Sequence, residues 1–185
     1  SYGEMDVSVI DKLPAGRKPI ETRWLKDKQS NDALKFLRQQ LASGAQAYVV
    51  SPLIEESEAL DVQNATDLYE RLANYFQPDY QVGLLHGRLN GEKKDAVMKD
   101  FQDGKIQVLV STTVVEVGVD NPNATVMIIY NADRFGLAQL HQLRGRVGRG
   151  ERQSYCLLIA DPKTDEGTAR MKTMVATTDG FKVAQ

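Results

Sequence analysis

Short apolar runs alternate with helical patterns along most of this 185-residue chain. The runs are nearly continuous in Val, Ile, Leu and Tyr, which is typical of strands buried on both faces of a sheet. Alternation of this kind favours a parallel sheet, because parallel neighbours need a crossover connection that a helix supplies. The predicted strands cover 47–51, 80–86, 106–111, 124–131 and 154–160, with a possible first strand in IETRWL at 20–25.

The segments between these runs carry helical periodicity. Ser30 is a candidate N-cap for the first helix, and Gly44 is its candidate left-handed stop. Comparable patterns occupy 64–76, 92–104 and 135–143. The predicted fold class is therefore α/β, with a central, mostly parallel sheet and helices on both faces.

Composition sets limits on the function. The formal charge is −2, from 23 basic and 25 acidic residues, so any contact with nucleic acid must come from a local patch. No apolar run approaches the roughly 20 residues of a membrane span, and the first residues lack a signal-peptide pattern, which predicts a cytoplasmic setting. Cys156, the single cysteine, lies inside an apolar run and is predicted to be a buried strand residue.

The stretch QLRGRVGRGERQ, residues 142–153, forms the clearest basic patch. Its four arginines against one glutamate give a local charge of +3. Two glycines interrupt a helical pattern here, although each costs about 1 kcal/mol relative to alanine in a helix. Arginine binds phosphate in a bidentate manner, and glycine lets a ligand approach the backbone, so a phosphate site is one interpretation. An exposed Gly/Arg turn is the other.

A second candidate site follows the strand predicted at 106–111. Thr112 and Thr113 supply hydroxyl groups, Gly118 permits close approach of the backbone, and the carboxylate of Asp120 can accept a hydrogen bond from a ribose hydroxyl. A surface turn explains the same residues, since the sequence DNPN is sufficient for one.

The nucleotide motifs that the chain lacks are also informative. No G-x-x-x-x-G-K-[ST] sequence occurs, so the chain is not expected to hold the β- and γ-phosphates of ATP in P-loop fashion. The glycines at 145, 148 and 150 have the wrong order for a dinucleotide fingerprint, and the spacing after Gln142 does not fit an acetyl-CoA loop. An arginine supplied to a nucleotide held elsewhere remains useful, because such a finger contributes roughly 10³–10⁵ in rate.

Three stretches carry a family resemblance. QLRGRVGR matches the Q-x-x-G-R-x-G-R of helicase motif VI, STTVVEVGVD matches motif V, and LLHGRLNGEKKDAVMKDFQDGKIQVLVSTT matches the segment before it. The chain thus resembles, over nearly its whole length, the second RecA-like motor domain of superfamily 2 helicases, and among them the bacterial branch-migration helicases. The resemblance implies a RecA-like, P-loop NTPase-type fold.

The resemblance also implies roles for individual residues. Arg149, as a finger, and Arg146 would reach the γ-phosphate of ATP bound to a first motor domain, and Gln142 would sense the nucleotide. Thr112 and the turn at His86 would contact the DNA backbone. The remaining implied positions are Gly145 and Gly148 of the arginine stretch, Gly118 and Asp120 on the ribose side, and Gly87 and Lys94 on the DNA side.

Lys94 also marks a departure from the DEAD-box RNA helicases. Those proteins carry a Gln and an Arg for backbone contact where this chain has Gly91 and Lys94, so RNA unwinding is less favoured. The alternative for Lys93, Lys94 and Lys99 is the solvated face of a helix.

The resulting functional hypothesis is half of an ATP-driven motor on double-stranded DNA, acting in branch migration and fork regression during recombination and repair. The segment alone is expected to be inactive. Its cofactor would be ATP with Mg²⁺, held mainly by an upstream RecA-like domain of the parent chain, and its partner would be branched or forked duplex DNA. A monomer near the bacterial nucleoid, with no membrane contact and no metal ligand of its own, is expected.

The expected organisation is an entry segment over 1–24, the motor domain over 25–162, and the start of a translocation region over 163–185. Two alternatives remain open. A transcription-repair coupling factor shares motifs V and VI. A non-catalytic module could bind nucleic acid through the arginine patch, although it would leave Gly118 and Asp120 without a role.

Overall fold

The computed structural model describes residues 18–51, 57–112 and 121–177. Within these ranges six strands form one sheet in the order β1-β6-β5-β2-β4-β3, and every neighbouring pair is parallel. The predicted α/β fold class is confirmed. The strands are β1 (Glu21–Leu25), β2 (Gln46–Ser51), β3 (Val82–Leu85), β4 (Val108–Thr112), β5 (Ala124–Tyr130) and β6 (Tyr155–Ile159).

Helices cover both faces of this sheet, as predicted. On one face α1 (Ser30–Ala42) and α2 (Glu58–Phe76) bury leucines and a phenylalanine against the central strands. On the other face lie α3 (Gly91–Gln102), α4 (Leu137–Arg144) and α5 (Asp165–Ala176). The apolar stripes that the helical periodicity indicates are the surfaces that pack on the sheet.

The two predicted ends of α1 have different outcomes. Gly44 has a backbone φ of +96° and its N–H donates to the Leu41 carbonyl (3.0 Å), so it is the predicted left-handed stop. Ser30 is not the N-cap, because the helix already begins there and Gln29 occupies the capping position. A short 3₁₀ turn, Asp27–Gln29, leads directly into α1, and the Ser30 backbone is already helical.

Both flanks of the predicted motor domain contribute to the packing. β1 begins in the predicted entry segment, ends one residue beyond it and pairs with β6. Met171 and Met174 of α5 belong to the same core as Leu140 of α4. The division at residues 24 and 162 stays a prediction.

Cys156 is fully buried in β6, as predicted, and burial raises the pKa of its thiol to about 12. None of the helices in the described ranges is long and apolar enough to span a membrane.

Candidate functional site

The candidate residues lie at two opposite edges of the sheet. Thr112 ends β4 and His86 directly follows β3, so both lie where the parallel strands finish, which we call the carboxyl edge. The stretch from Gly145 to Ser154, which we call the arginine loop, lies at the opposite end of the sheet, where the strands begin. It lies there because α4 returns the chain from the end of β5 to the start of β6. The usual ligand position in parallel sheets is the carboxyl edge, and the arginine loop departs from it.

Contacts on several sides hold the arginine loop. The Gly148 N–H donates to the Ser154 hydroxyl oxygen (2.9 Å), and the Ser154 residue is 1% exposed. The Arg152 guanidinium donates to the Ser43 carbonyl (2.9 Å) at the end of α1. The Gln153 amide donates to the Pro19 carbonyl (2.7 Å). The first bond braces the loop internally, and the other two fix it against the segments that lead into β2 and β1.

Gly148 is required by both its conformation and its surroundings. Its φ of +80° lies in the left-handed region, and a Cβ built there would be 2.8 Å from Ile20 Cγ1. Gly150 is also closely approached, since its Cβ would lie 3.2 Å from Pro122. No such crowding occurs at Gly91, the first residue of α3, where a Cβ would meet no atom within 4 Å.

We therefore expect Gly148→Ala to lower the free energy of unfolding by about 2–4 kcal/mol, through left-handed strain and the clash with Ile20. Gly91→Ala is the matched control. It should either raise the free energy of unfolding or lower it by about 0.5 kcal/mol or less. Urea unfolding of the two variants measures the difference. Equal urea midpoints and equal denaturant slopes for the two variants would show that alanine adopts the conformation at position 148 without strain.

The candidate nucleotide residues have different exposures. Gln142, Gly145 and Arg149 are exposed, whereas Arg146 and Gly148 are half-buried. The Arg149 Nε–H donates to the Gly145 carbonyl (3.0 Å), which sets the direction in which this side chain leaves the loop. The exposed position of Arg149 on an anchored loop leaves it accessible to a second molecule or domain.

Gly118 and Asp120 lie outside the described residues. The described chain resumes at Asn121, whose side chain is buried and donates to the Gln46 amide oxygen (3.2 Å). Pro122 then lies against Gly150 of the arginine loop. The described end of this segment is therefore adjacent to the arginine loop at the amino ends of the strands.

Arg144 requires a correction to the predicted phosphate patch. The residue is 1% exposed and is among the largest fully buried side chains of the described chain. Its Nη1 donates to Thr22 Oγ1 (2.9 Å) and to the carbonyls of Met174 (2.9 Å) and Thr177 (2.6 Å). Its Nη2 donates to His141 Nδ1 (2.9 Å). Arg144 thus joins α4 to β1 and to the end of α5, so it does not contribute to the exposed part of the basic patch.

Two hydroxyl groups lie side by side at the carboxyl edge. Ser51 ends β2 and Thr112 ends β4, and the two residues are direct partners in the parallel register. They are 1% and 2% exposed, and neither hydroxyl has a hydrogen-bond partner among the residues that the structure describes. Unpaired buried hydroxyls are uncommon in folded proteins, so this pair needs an explanation. Ser51 was not among the residues that the sequence singled out, because a serine ending an apolar run carries no distinctive pattern.

His86 provides a neutral donor at the same edge. Its Nδ1 accepts a hydrogen bond from the Arg88 N–H (3.1 Å), which places the proton of the neutral ring on Nε2. Burial lowers the His86 pKa below its ordinary value, and the positive charges of Lys94 and Arg88 lower it further. The ring is therefore neutral at pH 7 and still offers an N–H.

The fold brings the other DNA-side candidates to the His86 turn. Gly87 lies between His86 and Arg88 and is half-buried, as is Lys94 in the first turn of α3. Arg88 also pairs with Glu58 of α2 (Nε to Oε1, 3.1 Å). The sequence analysis did not single out Arg88, although its position directly after His86 and Gly87 was an available signal.

Comparison with known proteins adds to this geometry. The family model described as the helicase conserved C-terminal domain matches residues 30–151. The chain is 58% identical over 184 residues to the ATP-dependent DNA helicase RecG of Bacillus subtilis, covering 100% of this chain and 27% of the relative. It is also 58% identical to the RecG of Streptococcus pneumoniae, covering 100% of this chain and 28% of that protein. The chain thus spans about a quarter of the length of these curated relatives.

Solved structures give the same fold. A RecG bound to a three-way DNA junction matches with a TM-score of 0.78 and 45% identity, over 94% of this chain and 22% of that one. Domain 2 of the DEAD-box helicase Mss116p, bound to an RNA duplex, matches with a TM-score of 0.60 over 75% of this chain and 53% of that one. The second match has 21% identity and therefore shows similarity of fold alone.

Proposed function

The chain belongs to the helicase conserved C-terminal domain family, and from this premise we propose that it is the second motor domain of a RecG-type, ATP-dependent DNA helicase. Its 58% identity to RecG proteins across its full length supports this assignment. The activity would be translocation on double-stranded DNA, acting in branch migration and the regression of stalled forks. The RecG structure on a three-way junction supports branched duplex DNA as the substrate.

In this proposal the arginine loop completes an ATP site that another domain holds. The sequence has no P-loop, so an upstream motor domain would bind the triphosphate and Mg²⁺. Arg149 and Arg146 would offset the charge that develops on the γ-phosphate during hydrolysis, and Gln142 would report whether the nucleotide is present. Gly118 and Asp120 would meet the ribose side of the same nucleotide.

The single observation that carries this role is the anchoring of the arginine loop. A catalytic donor is effective when it is already oriented before the reaction, because no reorganisation is then needed at the transition state. The bonds from Gly148, Arg152 and Gln153 hold the loop in one conformation while Arg149 remains exposed.

DNA would bind at the carboxyl edge. His86 can donate to a backbone phosphate as a neutral ring, and Lys94 adds positive charge beside it. The backbone at Gly87 permits close approach, and Thr112 would supply a hydroxyl. With nucleotide residues at one edge of the sheet and DNA residues at the other, closure of two motor domains on ATP and reopening after hydrolysis would displace the DNA contacts along the duplex.

We expect the chain alone to show no ATP turnover, and the chain joined to its natural upstream motor domain to show turnover that duplex DNA stimulates. The measurement is steady-state ATP hydrolysis with and without linear duplex. The upstream domain alone is the control, since it has the triphosphate site but no arginine loop. Turnover by the 185-residue chain alone, or by the upstream domain at the level of the joined protein, would contradict the proposed division of the site.

A further inference from the structure

A cavity at the carboxyl edge lies beyond the DNA-side residues considered so far. It has a volume of about 420 Å³ and opens where β2 and β5 end, against α2. Its polar lining comes from three elements, and these side chains were not among the predicted site residues: Ser51, Asn64, Asp67, Arg71, Asn131 and Arg134.

The described residues that line the cavity carry a net positive charge, from two arginines and one aspartate. Arg71 from α2 and Arg134 from the 3₁₀ turn after β5 are both exposed. The Arg71 guanidinium lies over the Tyr130 ring, 5.8 Å from its centroid, which holds the charge at the cavity. Burial raises the Tyr130 pKa, although Arg71 opposes this shift, so the phenol stays neutral and does not cancel the arginine.

Arg134 has no competing partner. Its side chain makes neither an ion pair nor a hydrogen bond in the part of the chain that the structure describes. Asp67 is the one carboxylate among the described lining residues, and its Oδ1 accepts from the Gln63 amide (2.8 Å) along the same helix. The two arginines therefore outnumber the carboxylate and form no ion pair with it.

The buried hydroxyl of Ser51 connects this cavity to the DNA-side residues. Ser51 lines the cavity and is the register partner of Thr112 on the adjacent strand. Its hydroxyl lacks a hydrogen-bond partner within 18–51, 57–112 and 121–177, so it can donate to an acceptor that enters the cavity. The carboxamides of Asn64 and Asn131 add further donors at its wall.

We propose that this cavity binds one backbone phosphate of the DNA, with Arg71 and Arg134 as the charged donors and Ser51 as a hydroxyl donor. This extends the DNA contact from the β3–β4 side of the carboxyl edge to β2 and β5, and it rests on the proposed function. A phosphodiester suits the site because it carries one negative charge and several acceptor oxygens, and because the polynucleotide would already lie along this edge in the proposed function. A free anion would make no further contacts along this edge, so it would bind more weakly than a phosphate of the DNA backbone.

The test is the salt dependence of duplex binding by the 185-residue chain without ATP. Binding is measured by the fluorescence anisotropy of a labelled duplex at several salt concentrations. The double variant Arg71→Ala/Arg134→Ala is expected to reduce the slope of log K against log salt by about 0.9, the value for one phosphate. Lys105→Ala/Lys172→Ala is the matched control. It removes the same two charges from exposed positions at the amino side of β4 and on α5, and its slope should equal that of the parent.

A slope for the arginine variant equal to that of the control would overturn the proposal, as would an absence of salt-dependent duplex binding in the unmodified chain. Ser51→Ala provides a second readout, in which affinity falls while the slope stays constant because no charge is removed. Thermal midpoints of all variants verify that they are folded. Since ATP is absent, failure of the arginine loop as a catalytic element leaves this result unchanged, and the two proposals can fail separately.

Discussion

Arg149→Ala is expected to lower DNA-stimulated ATP turnover by about 10³-fold or more while ATP still binds. A loss of 10³ corresponds to about 4 kcal/mol of transition-state stabilisation. The physical reason is that Arg149 would interact with charge that develops only during hydrolysis, so its removal affects kcat and not the ground-state complex. The measurement is steady-state hydrolysis by the chain joined to its upstream motor domain, with ATP affinity determined separately.

The control for this substitution is Arg23→Ala. Arg23 is also an arginine at the surface of the sheet, where it pairs with Glu21, and its side chain is 46% exposed. Its removal should leave turnover within about twofold, because its exposed ion pair and its contacts with the rings of Phe36 and Tyr155 each contribute little. If Arg149→Ala keeps full turnover and only weakens DNA binding at low salt, the arginine loop is a phosphate clamp, and its catalytic assignment is wrong.

Arg144→Ala is expected to lower the free energy of unfolding by about 3–5 kcal/mol. Hydrogen bonds from a charged donor contribute roughly 1.5–3 kcal/mol each, and three of them end on Thr22, Met174 and Thr177. Relief of the buried charge offsets part of this loss. The unsatisfied acceptors and the vacated volume account for the remainder.

Equilibrium urea unfolding of the 185-residue chain measures the effect, and Arg144→Met separates its two parts. Methionine fills much of the volume but leaves the three acceptors unpaired, so its midpoint should lie between those of Arg144→Ala and the parent. Arg23→Ala should cost about 1 kcal/mol or less. If Arg144→Ala lowers the free energy of unfolding by only about 1 kcal/mol, water replaces the hydrogen bonds of the guanidinium.

Local signals were sufficient for most of the fold. The apolar runs predicted five of the six strands, because buried parallel strands have few polar positions. The edge strand β1 was expected only as a possible strand, since Glu21 and Arg23 on its exposed side interrupt the apolar pattern. Gly44 was predicted correctly because a left-handed helix stop depends on one residue. The prediction of Ser30 as an N-cap was wrong, because a capping rule cannot detect the 3₁₀ turn at Asp27–Gln29 that leads directly into α1.

The arginine stretch shows why tertiary contacts limit sequence interpretation. Its arginines are chemically identical, yet Arg144 is buried and Arg149 is exposed. The partners of Arg144 are 122 and 33 residues away in the chain, at Thr22 and Thr177. A weaker local signal did exist, since position 144 falls seven residues after Leu137 and four after Leu140, on the buried stripe of α4. The catalytic and DNA-binding roles of the individual residues stay predictions.

The contacts at Pro19 and Ile20 have a mechanical consequence. Gln153 donates to the Pro19 carbonyl and Gly148 packs on Ile20, so the arginine loop and the backbone entering β1 are joined by one hydrogen bond and one side-chain contact. A displacement of the backbone at Pro19 and Ile20 therefore acts on the arginine loop as well as on the hydrophobic core, against which Ile20 packs. We therefore expect the direction in which Arg149 leaves the loop to depend on the position of the backbone that enters β1.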